Sequence, residues 1–165
     1  MNVELVAARR SDEPTLRNLL SLYLYDFSEI VEIEMSEDGS FEYGELSEYW
    51  DETGARAFLI RAEGELAGFV LVDTGSRISG DPEVLDVGQF FVLRAQRRAG
   101  IGLRAAHATF ERFAGMWEVR VLEKNAPAQP FWERVVREFT PDFERFDYTL
   151  GDAKQVVYRF RSPPG

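Results

Sequence analysis

A cluster of arginines and glycines follows an apolar stretch of the chain that ends at Leu93. The next nine residues, RAQRRAGIG, contain three arginines and two glycines, and a helical pattern begins among them. The first N–H groups of a helix have no intrahelical acceptor and carry the positive end of the helix dipole. Gly100 and Gly102 leave that backbone uncovered, and Arg97 and Arg98 add positive charge. This combination predicts a site for phosphate or pyrophosphate; the alternative is a strand–helix turn with surface arginines.

Several other kinds of chemistry are excluded by residue type. The chain has no cysteine, which rules out a thiolate nucleophile, a disulfide and a cysteine-based metal site. Its single histidine rules out a histidine-cluster metal site, and we expect no metal. The sequence contains no GxxxxGK[ST] loop, and Gly102 is not followed three residues later by a third glycine.

The charge of the chain is unevenly distributed. Its 165 residues carry a formal charge of −10. Eleven acids and no Lys, Arg or His lie between Arg17 and Arg56, whereas the rest of the chain is close to neutral. Such a segment repels nucleic acid and anionic membranes, so neither is an expected partner, and it attracts cations. The alternative is a solvated surface that aids solubility.

Length and terminal composition indicate the class of protein. A chain of 165 residues is expected to form one domain over residues 1–165, with 161–165 as a loose tail. The N-terminus does not read as a signal peptide, and no run approaches the roughly 20 apolar residues needed to span a bilayer. A cytoplasmic enzyme or binding module fits best.

Hydrophobic periodicity and turn residues predict alternating strands and helices in the order βααβββαβαββ. The expected strands are Val3 to Ala8, Arg56 to Ala62, Leu66 to Asp73, Glu83 to Leu93, Trp117 to Leu122, Phe143 to Thr149 and Gln155 to Arg161. The expected helices are Ser11 to Phe27, Tyr43 to Trp50, Gly100 to Gly115 and Ala126 to Arg137.

Two motifs in this order resemble those of the GCN5-related N-acetyltransferase (GNAT) superfamily. Arg97-Arg98-Ala99-Gly100-Ile101-Gly102 resembles its [Q/R]-x-x-G-x-[G/A] signature. NAPAQPFW, residues 125–132, resembles its Asn-x-x-Ala-x-x-Phe-[Tyr/Trp] segment. The resemblance extends over nearly the whole chain, is strongest from Asp86 to Phe139 and is weakest before Arg56. It implies an α/β fold with a mixed sheet of about seven strands and about four helices, in a monomer or a homodimer.

The resemblance also implies how acetyl-CoA binds. The pantetheine arm would pair with the exposed backbone of the fourth strand, and the main chain of the signature would hold the pyrophosphate. Asn125 would reach the CoA arm beside Phe131 and Trp132; alternatively Asn125 caps a helix and the two aromatics belong to the core. The implied CoA-binding residues are Phe91, Val92, Leu93, Arg97, Arg98, Ala99, Gly100, Ile101, Gly102, Leu103, Arg104, Asn125, Phe131 and Trp132.

The chemistry implied by the family is direct acetyl transfer to a primary amine. The backbone N–H of Val92 is our candidate donor to the oxyanion. Asp86 is a candidate base acting through water; alternatively it is a polar residue at the solvent-facing start of a strand. Many relatives use a tyrosine acid where this chain has Trp132, whose indole cannot deliver a proton. Either Tyr148 or Tyr158 serves instead, or the thiolate leaves unassisted.

The acceptor pocket is expected to involve the acidic segment. Its aromatic residues Tyr43, Tyr49 and Trp50 beside carboxylates would suit a cationic amine; the alternative is core packing. The expected function is N-acetylation of a small amine, cationic or neutral. The alternatives are acetylation of a protein lysine or N-terminus, and a non-catalytic module that binds acyl-CoA.

Overall fold

In the computed structural model, which describes residues Met1 to Gly165, seven strands form one mixed sheet in the order β1-β2-β3-β4-β5-β7-β6. The strands are β1 (Val3–Ala7), β2 (Arg56–Ala62), β3 (Glu65–Thr74), β4 (Leu85–Val92), β5 (Gly115–Leu122), β6 (Phe143–Leu150) and β7 (Ala153–Ser162). The helices are α1 (Glu13–Phe27), α2 (Ile101–Arg112) and α3 (Ala128–Phe139). The predicted mixed α/β sheet of about seven strands is confirmed.

The sheet opens between its two central strands. β4 and β5 are the one parallel pair, and they pair only at Leu85 with Trp117 and Asp86 with Glu118. Beyond Asp86 the strands separate, so one backbone edge of β4 has no strand partner. The ladder between β3 and β4 also shifts register, because Leu71 pairs with Gln89 but Val72 pairs with Val87, leaving Gly88 as a bulge.

Each face of the sheet has its own core. A cluster of 21 buried residues lies on the face covered by α2 and α3, and a cluster of 11 lies under α1. Neighbouring strand residues point to opposite faces, and the bulge at Gly88 reverses this alternation within β4. As a result Val87, Phe90 and Val92 pack with the larger cluster, whereas Phe91 packs under α1.

The second helix predicted over Tyr43 to Trp50 is wrong. Only a single 3-10 turn, Ser47–Tyr49, forms there, and the element order therefore has three α-helices instead of about four. Leu46 and Tyr49 are the buried side chains of this segment, and one turn is sufficient to bury both. A short helix without a longer apolar face is only marginally stable, which explains the absence of further turns.

The end of the chain is more ordered than predicted. β7 continues to Ser162, inside the segment 161–165 that was expected to be a loose tail. Ser162 is buried, and its hydroxyl donates a hydrogen bond of 2.6 Å to the carbonyl oxygen of Phe110. The prediction of a tail is therefore wrong at Arg161 and Ser162, and the strand leaves only residues 163–165 beyond it.

The three α-helices have 12 to 15 residues, and none has the length and apolar character of a membrane span.

Candidate active site

The loop between β4 and α2 presents backbone N–H groups that have no acceptor within the protein. These are the N–H groups of Arg98 to Leu103, at the end of the loop and in the first turn of α2. The chain reaches this arrangement through left-handed backbone at Arg98 (φ 69°) and Gly100 (φ 78°). Free amides at a helix start, together with its dipole, can bind an anion.

The two glycines of the loop are required for different reasons. A Cβ on Gly102 would lie 3.1 Å from two ring carbons of Phe131, so this glycine allows α3 to pack against the start of α2. A Cβ on Gly100 would meet no atom within 4 Å, so space for a ligand lies in front of this residue. Glycine is favoured at this position because the backbone φ is positive.

The arginine side chains near the loop have different partners. Arg94 and Arg97 bind the carboxylate of Asp26 in the last turn of α1, at 2.6 and 2.8 Å. Arg104 donates to the carbonyl oxygen of Met1. Arg98 makes no hydrogen bond or ion pair through its side chain, so it is the loop arginine available to a bound anion.

The free edge of β4 carries the predicted oxyanion donor. The Leu93 N–H donates to the Ala67 carbonyl oxygen on the β3 side. Hydrogen-bonded pairs alternate along an antiparallel ladder, so the N–H groups of Val92 and Phe90 point away from β3, into the opening toward β5. The carbonyl oxygen of Val92 accepts a hydrogen bond of 2.9 Å from Arg97 Nε. This contact holds the Val92 peptide in place.

The predicted CoA-binding side chains divide between the two faces of β4. Phe131 and Trp132 pack with Phe90 on the α2 and α3 face, with ring centroids 5.0 to 6.0 Å apart. Phe91 and Leu93 point to the other face, where they line a cavity of about 220 Å³ beside α1. The Asn125 side chain makes no capping hydrogen bond to α3. The backbone carbonyl oxygen of Asn125 accepts a hydrogen bond from the Ala128 N–H instead.

Asp86 lies on the α1 face at the point where β4 and β5 separate. It is fully buried, so the alternative of a solvent-facing position is wrong. Its two carboxylate oxygens accept hydrogen bonds from Arg120, at 2.8 Å from Nε and 3.3 Å from Nη2. Burial raises the pKa of Asp86 above its ordinary value, and the contact with Arg120 opposes that rise. A substrate cannot touch this carboxylate directly.

A second carboxylate, Asp73, lies next to Asp86 across the β3–β4 ladder. Its Oδ1 accepts a hydrogen bond of 2.5 Å from the Tyr49 hydroxyl, and Arg77 lies 3.7 Å from its Oδ2. A Cβ on Gly88 would come within 2.3 Å of Asp73 Oδ2, so only glycine at the bulge leaves room for this carboxylate. The bulge therefore brings Asp73 against the backbone of β4.

Tyrosines surround the same part of the α1 face. The Tyr23 hydroxyl donates to Gln89 Oε1, and Gln89 Nε2 lies 3.4 Å from the Tyr43 hydroxyl. Burial raises the pKa of Tyr23, Tyr43 and Tyr49, so all three stay neutral at ordinary pH. The neutral hydroxyl groups of Tyr43 and Tyr49 near Asp73 can bind a cation, whereas the ring of Tyr23 is covered by phenylalanine rings.

The three predicted acceptor residues are not all together. Tyr43 and Tyr49 contact side chains of β3 and β4. Trp50 lies at the opposite end of α1, where its indole N–H donates a hydrogen bond of 2.7 Å to Glu13. Tyr158, one of the tyrosines considered as an acid, is fully buried within the larger cluster.

The sequence analysis missed several residues near the site, and three of them show why. Asp26 carried a usable signal, because an acid in the last turn of a helix is disfavoured by the dipole and needs a cationic partner. Asp73 carried a weaker one, as an acid at the end of an apolar strand. Tyr23 carried none, because it fits the helical spacing of the buried residues Leu16, Leu19 and Leu20. No three His, Asp or Glu side chains converge to hold a metal ion.

The splayed parallel pair and the free amides at the start of α2 define an α/β protein with uncovered backbone N–H groups at the end of its central strand. The model of the acetyltransferase (GNAT) family matches residues 16–136. The chain belongs to this family, as the two sequence motifs predicted. No curated protein matches the sequence significantly.

Solved structures support the same fold at low sequence identity. An acetyltransferase from Thermus thermophilus is 16% identical, with a TM-score of 0.69 and coverage of 98% of this chain and 97% of the other. An aminoglycoside acetyltransferase in complex with coenzyme A and kanamycin is 16% identical, with a TM-score of 0.68 and coverage of 97% and 95%. A protein described as a streptothricin acetyltransferase from Bacillus anthracis, in complex with acetyl coenzyme A, is 14% identical, with a TM-score of 0.58 and coverage of 98% and 99%.

Proposed function

We propose that this protein transfers the acetyl group of acetyl-CoA directly to a primary amine of a small cationic molecule. The observation that carries the proposal is the series of free N–H groups from Arg98 to Leu103 at the end of the β4–β5 opening. These groups suit a diphosphate, and the unpaired edge of β4 suits an amide-containing arm. Two similar structures hold acetyl coenzyme A or coenzyme A, which supports this choice.

The two chemical parts of the CoA molecule would contact different elements. Its diphosphate would accept hydrogen bonds from the loop amides, with the side chain of Arg98 beside it. Its pantetheine would lie along the β4 edge beside Phe91, Val92 and Leu93, where the N–H groups of Phe90 and Val92 face the opening, with the thioester near the Val92 N–H. Phe131, Trp132 and Asn125 would then border the arm on the α3 side.

The reaction is attack of a neutral amine on the thioester carbonyl. A carbon–nitrogen bond forms, the carbon–sulfur bond breaks, and the amine loses a proton. The Val92 N–H would donate to the oxyanion of the tetrahedral intermediate. Trp132 cannot deliver a proton, Tyr158 is fully buried in the core, and Tyr148 lies on the edge strand β6, which β7 separates from β5. We therefore propose that the thiolate of CoA leaves unassisted.

The acceptor would bind on the α1 face, near the tyrosines and Asp73. The Asp73 carboxylate and the neutral side chain of Tyr43 near it favour an ammonium ion over a neutral or anionic group. Asp86 is our proposed proton acceptor. Because it is buried and held by Arg120, the proton would reach it through a bridging water, with Asp73 as the neighbouring group that contacts the substrate.

The test is CoA release from acetyl-CoA with a panel of acceptors. The panel contains aliphatic polyamines, an aminoglycoside, uncharged primary amines, a lysine peptide and a peptide with a free N-terminus. We expect turnover with polycationic small molecules and little with the uncharged amines. Turnover with peptides alone would support the protein-acetylating alternative. Tight acetyl-CoA binding without turnover on any amine would support the non-catalytic module.

A further inference from the structure

One carboxylate links α1 to the loop that would bind the diphosphate. Asp26 Oδ1 accepts hydrogen bonds from Arg94 Nε and Nη2, at 2.9 and 2.6 Å, and its Oδ2 accepts one of 2.8 Å from Arg97 Nη2. Burial alone would raise the pKa of Asp26, but the hydrogen bonds from Arg97 and Arg94 outweigh it and keep that pKa below its ordinary value. Asp26 is therefore an anion that the protein keeps charged beside an anion site.

Two electrostatic effects make the position of Asp26 unfavourable, and its contacts with Arg94 and Arg97 must outweigh both. Asp26 lies in the last turn of α1, where the helix dipole repels an anion. It also lies close to the loop arginines, where it would repel a diphosphate. The three short charge-assisted hydrogen bonds to Arg94 and Arg97 are strong enough to offset both effects. This indicates that the role of Asp26 depends on its contacts with these two arginines.

Arg97 extends the link from Asp26 to β4. Its Nε donates to the carbonyl oxygen of Val92, and its guanidinium lies 5.6 Å from the centre of the Phe91 ring. A single side chain thus connects the end of α1, the end of β4 and the loop. The same contact holds the peptide next to the proposed oxyanion donor.

We infer that Asp26 is a positioning residue: it fixes Arg94 and Arg97 so that the amides of Arg98 to Leu103 stay in place for a diphosphate. This inference rests on the proposed use of CoA. Arg97 is then a structural link, and its side chain does not bind phosphate. The free side chain of Arg98 supplies the positive charge that the bound diphosphate contacts.

The direction in which Asp26→Asn changes CoA affinity distinguishes positioning from simple repulsion. Asp26→Asn removes a negative charge near the loop, so repulsion alone would make CoA bind more tightly. Positioning predicts the opposite, a loss of about tenfold in CoA affinity, comparable to one charge-assisted hydrogen bond. Glu29→Gln is the matched control, because Glu29 is exposed, lies near Arg94 and makes no hydrogen bond. This control should bind CoA as well as the wild type or slightly better.

The experiment is titration calorimetry with CoA, and competition with pantetheine, which lacks the diphosphate. Asp26→Asn should weaken CoA but leave pantetheine unchanged, and near-ultraviolet circular dichroism should match the wild type. In an Arg97→Gln background, Asp26→Asn should cause little further loss, because the two residues act together. Equal or tighter CoA binding by Asp26→Asn, equal losses for both ligands, or additive losses with Arg97→Gln would overturn the inference. If the wild type itself binds no CoA, the proposed function fails instead.

Discussion

Asp73 and Asp86 are neighbours across β3 and β4, but their surroundings assign them different tasks. Asp86 is fully buried and bound through both oxygens to Arg120, so it can affect the acceptor only through an intermediate water. Asp73 accepts a hydroxyl hydrogen bond from Tyr49 and is slightly accessible at the bulge. The neighbouring charge of Asp73 also raises the pKa of Asp86, after the larger effect of burial. Under the proposed function, a proton would pass toward Asp86 while an ammonium ion would contact Asp73.

The role of Asp86 can be tested by the pH dependence of the Asp86→Asn variant. A folded-state pKa above the ordinary value means that wild-type Asp86 loses its function as pH falls through that raised pKa. At pH values above this pKa, the Asp86→Asn variant has no base at this position. It must therefore rely on amine that is already unprotonated, which is scarce at low pH. We expect kcat/KM for the amine to fall roughly 100-fold near pH 6, with a smaller loss near the pKa of the amine.

Glu83→Gln is the control for this change, because Glu83 is an exposed acid just before β4. It should keep the wild-type profile. Full activity of Asp86→Asn across the pH range would remove the assignment of Asp86 as the base. A uniform loss at every pH would indicate that Asp86 acts only by holding Arg120.

The loop itself can be tested at Gly100. Gly100→Glu puts a carboxylate in front of the free amides, where it occupies the site and repels a diphosphate. We expect CoA binding to be lost in titration calorimetry. Gly39→Glu is matched for backbone strain, because Gly39 has φ 82° and also has no neighbour within 4 Å of a Cβ. The control should carry the same strain and bind CoA normally; unchanged CoA affinity in Gly100→Glu would reject the loop as the site.

At the scale of elements, the sequence predicted what depends on local pattern and missed what depends on long-range contacts. The strand ending near Leu93, the glycine-containing loop and the start of α2 were all predictable, because apolar runs and glycines are read within a few residues. The single turn at Ser47–Tyr49 was not, because its extent depends on what α1 and β3 leave to be covered. The signature loop was predicted, but the contact of Asp26 with Arg97, 71 residues apart, was not.

The bulge in β4 is another feature that no local sequence pattern predicted. The Gly88→Ala variant tests whether glycine is required there. The added Cβ would collide with the Asp73 carboxylate, which must move away from Tyr49 or push β4 out of register. We expect the free energy of unfolding in urea to fall by roughly 1–3 kcal/mol, as for other overpacked sites. Turnover of the amine should fall more than CoA affinity, because the loop that would hold the diphosphate is untouched.

Gly44→Ala is the matched control for the bulge variant. Gly44 has an ordinary backbone conformation, and its added Cβ would meet no atom within 4 Å. It should change neither stability nor turnover measurably. Wild-type stability in Gly88→Ala would mean that the bulge adapts and that Asp73 is not held by it.

At the scale of the whole molecule, the two co-substrates would meet surfaces of opposite charge. The loop after β4 offers amides and arginines to an anion, whereas the segment of residues 28–55, which follows α1, carries ten acids and no base. That segment has one 3-10 turn and contacts α1, where Arg17 donates to the carbonyl oxygens of Tyr43 and Gly44. Its tyrosines reach β3 and β4, so its charge surrounds the proposed acceptor site.

This separation of charge predicts a specific salt dependence. The field of exposed carboxylates is screened over about 10 Å at 0.1 M ionic strength, so raising salt from about 20 to 200 mM should raise KM for a polycationic amine about fivefold. The KM of an uncharged primary amine should stay constant. Replacing Glu42, Glu45 and Glu48 by Gln should remove most of the salt effect, because these exposed acids flank Tyr43 and Tyr49. Amide replacements at Glu123, Glu144 and Asp152 change the net charge equally but lie outside the segment, and they should leave the dependence intact. If both sets of replacements reduce it to the same extent, net charge and not the acidic segment attracts the amine.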